Sequence, residues 1–187
     1  MPDGGETDEL RVDARLEASL RRAIRDVPDF PRPGIVFKDI TPVLLDASLF
    51  GRTIQAMAAP FANDAITHVA GIESRGFILG APIALELGAA FVPIRKPGKL
   101  PSRVERVDYE LEYGEDALEV HSDAIGAGHR VLVVDDVLAT GGTATAACEV
   151  LERLGAEVVA CTFLMALGFL GGEQRLEGRR LSTLVVY

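Results

Sequence analysis

Tryptophan is absent from this chain, cysteine occurs twice, histidine three times, and only three of its nineteen basic residues are lysine. Two thiols and three scattered histidines are a poor ligand set for a transition metal, which needs such residues in clusters. Cys148 and Cys161 each lie inside an apolar periodic segment, as buried thiols in a reducing compartment do, rather than in a disulfide framework. No run of eighteen apolar residues exists, so no membrane span is expected. The opening MPDGGETDEL is acidic and has no apolar stretch, which argues against a secretory signal and for a cytoplasmic protein. A formal charge of −9 argues against nucleic acid as a partner, because a phosphate backbone asks for a basic face. It leaves open a small phosphorylated ligand, for which only local charge counts.

Locally the charge reverses. Arg95–Arg106, RKPGKLPSRVER, carries five cations against one anion. The three lysines are Lys38, Lys96 and Lys99. A chain so biased toward arginine keeps lysine where a compact ammonium suits better than a planar fork.

At 187 residues the chain is long enough for one domain with a substantial core. Residues 1–8 are polar, acidic and glycine-bearing and are expected to be disordered. Leu16, Leu20, Ile24 and Val27 recur at helical spacing, which predicts a first helix ending before Pro28. A second helix is predicted from Ala47 to about Asn63, with Asp46 as its N-cap and Phe50, Ile54, Met57 and Phe61 as its apolar stripe. Strands then alternate with helices: strand 66–72, helix 76–87, strand 90–94, strand 131–134, helix 143–154, strand 158–164 and strand 181–187. That alternation predicts an α/β fold, a mostly parallel twisted sheet flanked by helices. Between Arg103 and Val120 the pattern shortens into alternating segments around Gly114, which predicts a β-hairpin inserted after the basic loop. Loop and hairpin, 95–120, sit where a lid would.

The most informative stretch is VLVVDDVLATGGT, Val131–Thr143. An apolar run ends in Asp135 and Asp136, followed by Ala139, Thr140, Gly141, Gly142 and Thr143 and then a helical pattern. In open α/β sheets, ligands bind at the carboxyl ends of the strands. There the free N–H groups of a helix start attract an anion such as a phosphate. Two carboxylates beside a phosphate cradle need a different duty, and ribose hydroxyls or a magnesium ion would supply it. The loop is not a Walker A motif, since no lysine follows its glycines, and it lacks the GxGxxG order of dinucleotide folds.

VVDDVLATGGT resembles the phosphoribosyl pyrophosphate motif of the type I phosphoribosyltransferases. FPRPGIVFKDITPVL (Phe30–Leu44), AGIESRGFILGAPIA (Ala70–Ala84), PIRKPGKLP (Pro93–Pro101), YELEYG (Tyr109–Gly114) and GGEQRL (Gly171–Leu176) follow in order along most of the chain. They resemble the branch of that family that acts on adenine. The resemblance implies a single phosphoribosyltransferase domain over residues 1–187, with a flexible lid at 95–120. It implies a purine salvage reaction in which adenine and phosphoribosyl pyrophosphate give AMP and pyrophosphate. The transition state there would resemble an oxocarbenium ion. A homodimer is also implied.

The resemblance further implies roles for individual residues. Ala139–Thr143 would cradle the 5′-phosphate, and Asp135 and Asp136 would hold the ribose diol. Successive strand side chains diverge, which leaves open which aspartate faces the sugar. Glu73, Ser74, Arg75 and Gly76 would form the pyrophosphate loop, with a strained peptide aiming N–H groups at the ligand. Lys96 and Lys99 would complete that clamp; Arg103 and Arg106, read from the residues themselves, belong to a solvated face. Mg2+ would ride mainly on substrate oxygens, with Asp135 or Asp136 as a protein ligand. Phe37 would stack on adenine, a contact worth on the order of 1–3 kcal/mol. The Val36 backbone would read the base edge, and Leu167 would pack on the opposite face. Lys38 stands where the family often has arginine, so the base contact there cannot be a fork. Glu112 would manage the proton at the base, and Arg75 and Lys99 would assist at the leaving group. On the residues alone, a core anchor is the alternative reading of Phe37, and Glu112 reads as a solvent-facing strand residue. A transferase for a 6-oxopurine and a non-catalytic sensor of phosphoribosyl pyrophosphate are the alternatives. The first would want donors or a lysine reaching O6. The second would want a DNA-binding module, for which the acidic stretch before Pro28 has the wrong charge.

Overall fold

The structure is a computed structural model and describes residues 14–110 and 115–187. The expected disorder over residues 1–8 lies outside the described residues. The chain divides between Arg52 and Thr53 into two compact units.

The first unit opens with α1 (Ala14–Ala23), whose Leu16 and Leu20, one turn apart, are buried. The helix ends earlier than the spacing of Ile24 and Val27 predicts. Ile24 is buried just beyond it, its N–H still bonded to the Leu20 carbonyl at 2.8 Å, while Val27 lies in a strand. That strand, β1 (Arg25–Pro28), pairs antiparallel with β2 (Val36–Asp39). Val27 is β-branched and precedes a proline, which disfavours helix at that position. Two cross-strand ion pairs fix the register, Arg25–Asp39 at 2.5 Å and Lys38–Asp26 at 2.6 Å. A short helix, α2 (Thr41–Leu45), follows without any periodic signal in the sequence. Asp46 then caps α3 (Ala47–Ala58) as expected, its Oδ1 accepting the N–H groups of Ser48 and Leu49 at 3.0 Å each.

The second unit begins within α3. Ile54, Met57 and Phe61 are buried as predicted. The α-helix nevertheless stops at Ala58, and a 3₁₀ turn covers Ala59–Phe61. Pro60 has no N–H to give the carbonyl four residues back, so the helical ladder cannot reach Asn63. The sheet comprises β3 (His68–Ile72), β4 (Ala90–Ile94), β7 (Arg130–Leu138), β8 (Glu157–Ala166) and β9 (Leu181–Val186). Its order is β4-β3-β7-β8-β9, and every pairing is parallel. Strand β7 runs four residues beyond its apolar stretch. Asp135, Val137 and Leu138 stay in register with Phe163, Met165 and Ala166 of β8, whose unbroken apolar run carries the ladder past the carboxylates.

Helix α4 (Arg75–Leu87) packs on β3, β4 and β7. Helix α5 (Gly142–Arg153) packs on the other face, where Ala144, Ala147, Cys148 and Leu151 share a core with Val131, Val133, Cys161 and Phe163. The predicted hairpin is present as β5 (Val104–Glu110) and β6 (Glu115–His121), an antiparallel pair lying against α5. Val107, Leu118 and Val120 bring it into the same core. Cys148 and Cys161 are both buried and free, their sulfurs 3.5 Å apart. No helix among the described residues is long and apolar enough to cross a membrane.

Candidate active site

In a parallel sheet all strands end on one edge, so the residues following β3, β4, β7 and β8 necessarily meet there. Four segments do so here: Glu73–Gly76 after β3, Arg95–Lys99 after β4, Asp135–Thr143 at the end of β7, and Leu167 after β8.

The β7 segment leads through a short loop into the N-terminus of α5. Gly141 adopts φ +82° as the N-cap of α5, a conformation that favours glycine, and the helix begins at Gly142. The first N–H groups of α5 have no acceptor inside the helix and carry its positive dipole end. Thr143 donates its hydroxyl to the Tyr109 phenol at 3.3 Å, which ties the start of α5 to β5.

The two aspartates differ in surroundings. Asp136 is 2 % exposed, and its Oδ2 lies 3.0 Å from Nε of Arg75 at the start of α4. The guanidinium N–H is not aimed along that line, so the contact is one of charges. Asp136 Oδ2 accepts no hydrogen bond among the described residues. Burial raises the Asp136 carboxyl above its ordinary value even though Arg75 opposes the shift. Asp135 keeps part of its surface open and accepts the Asp136 N–H at 2.9 Å. Burial first, then the neighbouring Asp136 charge, raise Asp135 well above the ordinary carboxylate range. Gly76 lets α4 come this close, since a side chain there would start 2.7 Å from the Val134 carbonyl oxygen and 3.0 Å from Asp135 Oδ1.

The peptide between Glu73 and Ser74 is cis. Glu73 lies under the basic loop and takes up its cations. It accepts from Arg95 Nε at 3.2 Å, from the Lys96 backbone N–H at 3.0 Å and from the Lys99 ammonium. Burial alone would raise its carboxyl, but these donors hold it down to about 2. Lys96 is occupied as well: its ammonium donates to Asp116 and, at 2.8 Å, to the Tyr109 phenol. Glu119, 7 % exposed, accepts the Gly98 N–H at 2.9 Å. Arg106 pairs with Asp108 at 2.6 Å on an exposed strand, away from these contacts.

Of the residues singled out in the sequence, Glu73, Ser74, Arg75, Gly76, Lys96, Lys99, Asp135, Asp136, Ala139, Thr140, Gly141, Gly142, Thr143 and Leu167 all lie at the carboxyl edge of the second unit. Val36, Phe37 and Lys38 lie on β2 of the first. Phe37 is half-buried and meets Phe30 edge-on, with ring centroids 5.2 Å apart. Lys38 donates to Asp26, so its ammonium has an acidic partner in its own unit. Glu112 and Tyr113 lie outside the described residues. Sequence reasoning missed Tyr109 and Asp116, which link Lys96 to Thr143. The signal was available in YELEYG, whose first residue pairs with Asp116 once the hairpin closes.

Residues 44–179 match the family described as the phosphoribosyl transferase domain. The adenine phosphoribosyltransferase of Myxococcus xanthus is 60 % identical over 176 residues, covering 94 % of this chain and 96 % of the relative. The chain belongs to the adenine phosphoribosyltransferase family. Two solved structures of the family show the same fold. The enzyme of Rhodothermus marinus is 52 % identical with a TM-score of 0.90, over 94 % of this chain and 100 % of its own. That of Saccharomyces cerevisiae, complexed with an imino-altritol bisphosphate and adenine, is 40 % identical with a TM-score of 0.86, over 91 % and 99 %. The hairpin and the all-parallel sheet described above are thus features of a family fold.

Proposed function

We propose that this chain transfers the 5-phosphoribosyl group from phosphoribosyl pyrophosphate to adenine, releasing pyrophosphate and forming AMP for purine salvage. The observation that carries the proposal is the convergence, on one sheet edge, of a helix start suited to a phosphate, a pair of adjacent carboxylates and a cluster of cations. A phosphorylated sugar with a pyrophosphate at its anomeric carbon presents matching chemistry in matching order.

The reaction breaks the bond between the anomeric carbon and pyrophosphate oxygen while adenine N9 bonds to that carbon. Positive charge accumulates on the sugar in between. Ala139–Thr143 bind the 5′-phosphate through the α5 N-terminus, and the Thr140 and Thr143 hydroxyls add donors. Asp135 and Asp136 accept from the ribose hydroxyls and place anionic charge near the developing cation. Ser74 and Gly76 offer backbone N–H groups to the pyrophosphate, and Arg75, Lys96 and Lys99 supply its counter-charge. Glu73 holds Lys99 together with Arg95, and the incoming pyrophosphate takes its place as their partner. Phe37 stacks on the base, the Val36 backbone reads its edge, Lys38 lies beside it and Leu167 covers the opposite face. Glu112 accepts the proton released as N9 bonds to carbon.

Mg2+ fits the donor set, because hard carboxylate oxygens suit it and Asp136 Oδ2 has no hydrogen-bond partner among the described residues. No group of three or more metal-binding side chains occurs among those residues, so the substrate would supply most ligands. When bound, the ion neutralises pyrophosphate charge. Closure of residues 95–120 would exclude water from the reacting carbon. A cytoplasmic homodimer with residues 1–187 acting as one functional domain completes the proposal.

A chromatographic assay with phosphoribosyl pyrophosphate, Mg2+ and each of adenine, hypoxanthine, guanine and xanthine tests the proposal. AMP from adenine alone is the expected result. Product from a 6-oxopurine would overturn the base site, and binding of phosphoribosyl pyrophosphate without product from any base would replace the enzyme with a sensor.

A further inference from the structure

The segment Gly171–Leu176, GGEQRL, meets the Ala139–Gly141 backbone closely through Gly172. It forms a short helix, α6 (Gly172–Arg175), entered through Gly171. Leu176, 1 % exposed, anchors it in the core shared with Ala144, Ala147 and Cys148 of α5. The Thr145 hydroxyl reaches the Arg175 carbonyl at 3.5 Å, a second tie between the two helices. The contact of interest lies at Gly172. A methyl group placed there would fall on the Ala139 carbonyl oxygen, with Ala139 C and Gly141 N each 3.0 Å away. Reciprocally, a methyl on Gly141 would lie 2.6 Å from the Gly172 carbonyl oxygen. All the atoms closest to Gly172 are backbone, so no side chain can swing aside to make room.

We infer that Gly172 is a positioning residue for the 5′-phosphate: its bare backbone is the mould that fixes the Ala139–Gly141 backbone in its phosphate-binding conformation. The inference rests on the 5′-phosphate assignment proposed above. It explains why a second glycine pair, far along the chain from ATGGT, accompanies that motif. Its close contacts are with the Ala139–Gly141 backbone, so its influence falls on the phosphate end of the substrate.

The test is titration calorimetry on the full chain with ribose 5-phosphate, AMP and pyrophosphate as separate probes. Gly172→Ala should weaken ribose 5-phosphate and AMP about tenfold or more, because a sub-ångström displacement of preorganised donors carries a large cost. Pyrophosphate, held by Glu73–Gly76 and the basic loop, should bind within about twofold of the wild type. Gly171→Ala is the control: it strains a φ of +67° but meets only the Gln174 side chain at 3.6 Å. It should leave the affinities for all three probes unchanged. A uniform loss across the probes in Gly172→Ala, or no loss for the phosphate-bearing pair, would overturn the inference. If Gly172→Ala does not fold, hydrogen exchange of the wild type decides. Ribose 5-phosphate should protect 171–176 together with 139–143, and protection confined to 139–143 would overturn it. A wild type that fails to bind ribose 5-phosphate while binding pyrophosphate would instead remove the 5′-phosphate assignment, and the inference with it.

Discussion

Arg75→Ala removes the cation placed against the buried Asp136, and the consequence can be worked through in energy and in pH. At 3.0 Å and an effective dielectric near 20, the gross attraction is about 5 kcal/mol. The net effect is smaller, since about a third of the Arg75 side chain is in water and its loss is partly offset by solvent. Breaking a fully buried pair costs about 3–5 kcal/mol and an exposed one about 0–1, so about 2 kcal/mol is expected here. Asp136 can also escape by taking a proton. With an ordinary value of 3.8, that route limits the penalty at pH 7 to about 4 kcal/mol. The sign follows from linkage. Without Arg75 the folded-state carboxyl titrates still further above its unfolded value, so the folded state binds more protons and stability falls as pH rises above 3.8. Urea unfolding of both proteins from pH 4.5 to 8 should show a deficit that is small at the acid end and grows to about 2 kcal/mol. Arg75→Ala with Asp136→Asn should recover most of it at neutral pH. A deficit that does not change with pH, or one below about 0.5 kcal/mol throughout, would show that the pair is not coupled as described. In the same variant, pyrophosphate affinity should fall more than AMP affinity.

Two further outcomes are expected. Glu73, held down to about 2 against an ordinary 4.5, contributes stability that is complete above pH 4.5 and is lost as pH falls toward 2. Glu73→Gln should therefore be less stable at neutral pH and lose less on acidification, and parallel acid-unfolding curves for the two proteins would refute the assignment. Glu112→Ala should keep the wild-type unfolding transition while turnover with adenine drops by about 10²-fold or more, and an unchanged rate would take Glu112 out of the chemistry.

The parts of this fold that are legible in the sequence are those whose burial is periodic or unbroken. The stripe of α3 and the alternation of the hairpin each carry a period set by the core they face, and Val131–Val134 is a continuous apolar run because both faces of its strand are covered. Asp46 is legible because an N-cap is a local bond with a fixed offset. The hairpin of β1 and β2 is not, because RDVP is mostly exposed and its pairing rests on ion pairs between residues 12 and 14 positions apart. The end of β7 was hidden for a different reason: its last residues are held by β8, a partner the local pattern does not reveal. In the site, residue types and edge placement could be read in advance, but partnerships could not. That Glu73 would take up Arg95 and Lys99, and that Tyr109 would bridge Lys96 and Thr143, depends on segments that meet only in three dimensions.

The strand order has a consequence for how the chain reaches this state. Strands β3 and β7 are neighbours, yet the Thr67 hydroxyl and the Arg130 carbonyl that bond across them are 63 positions apart. All strand pairs in that sheet are parallel, so none can form by simply turning back on itself. The β5–β6 hairpin, by contrast, closes over a few residues and can assemble on the microsecond scale. Early order therefore belongs to the hairpin, which packs against α5. The docking of β7 between β3 and β8 closes long loops and sets the pace of folding. Until it docks, the apolar run of β7 and both flanking strand edges stay open to other chains, and that interval is when this protein is most exposed to aggregation.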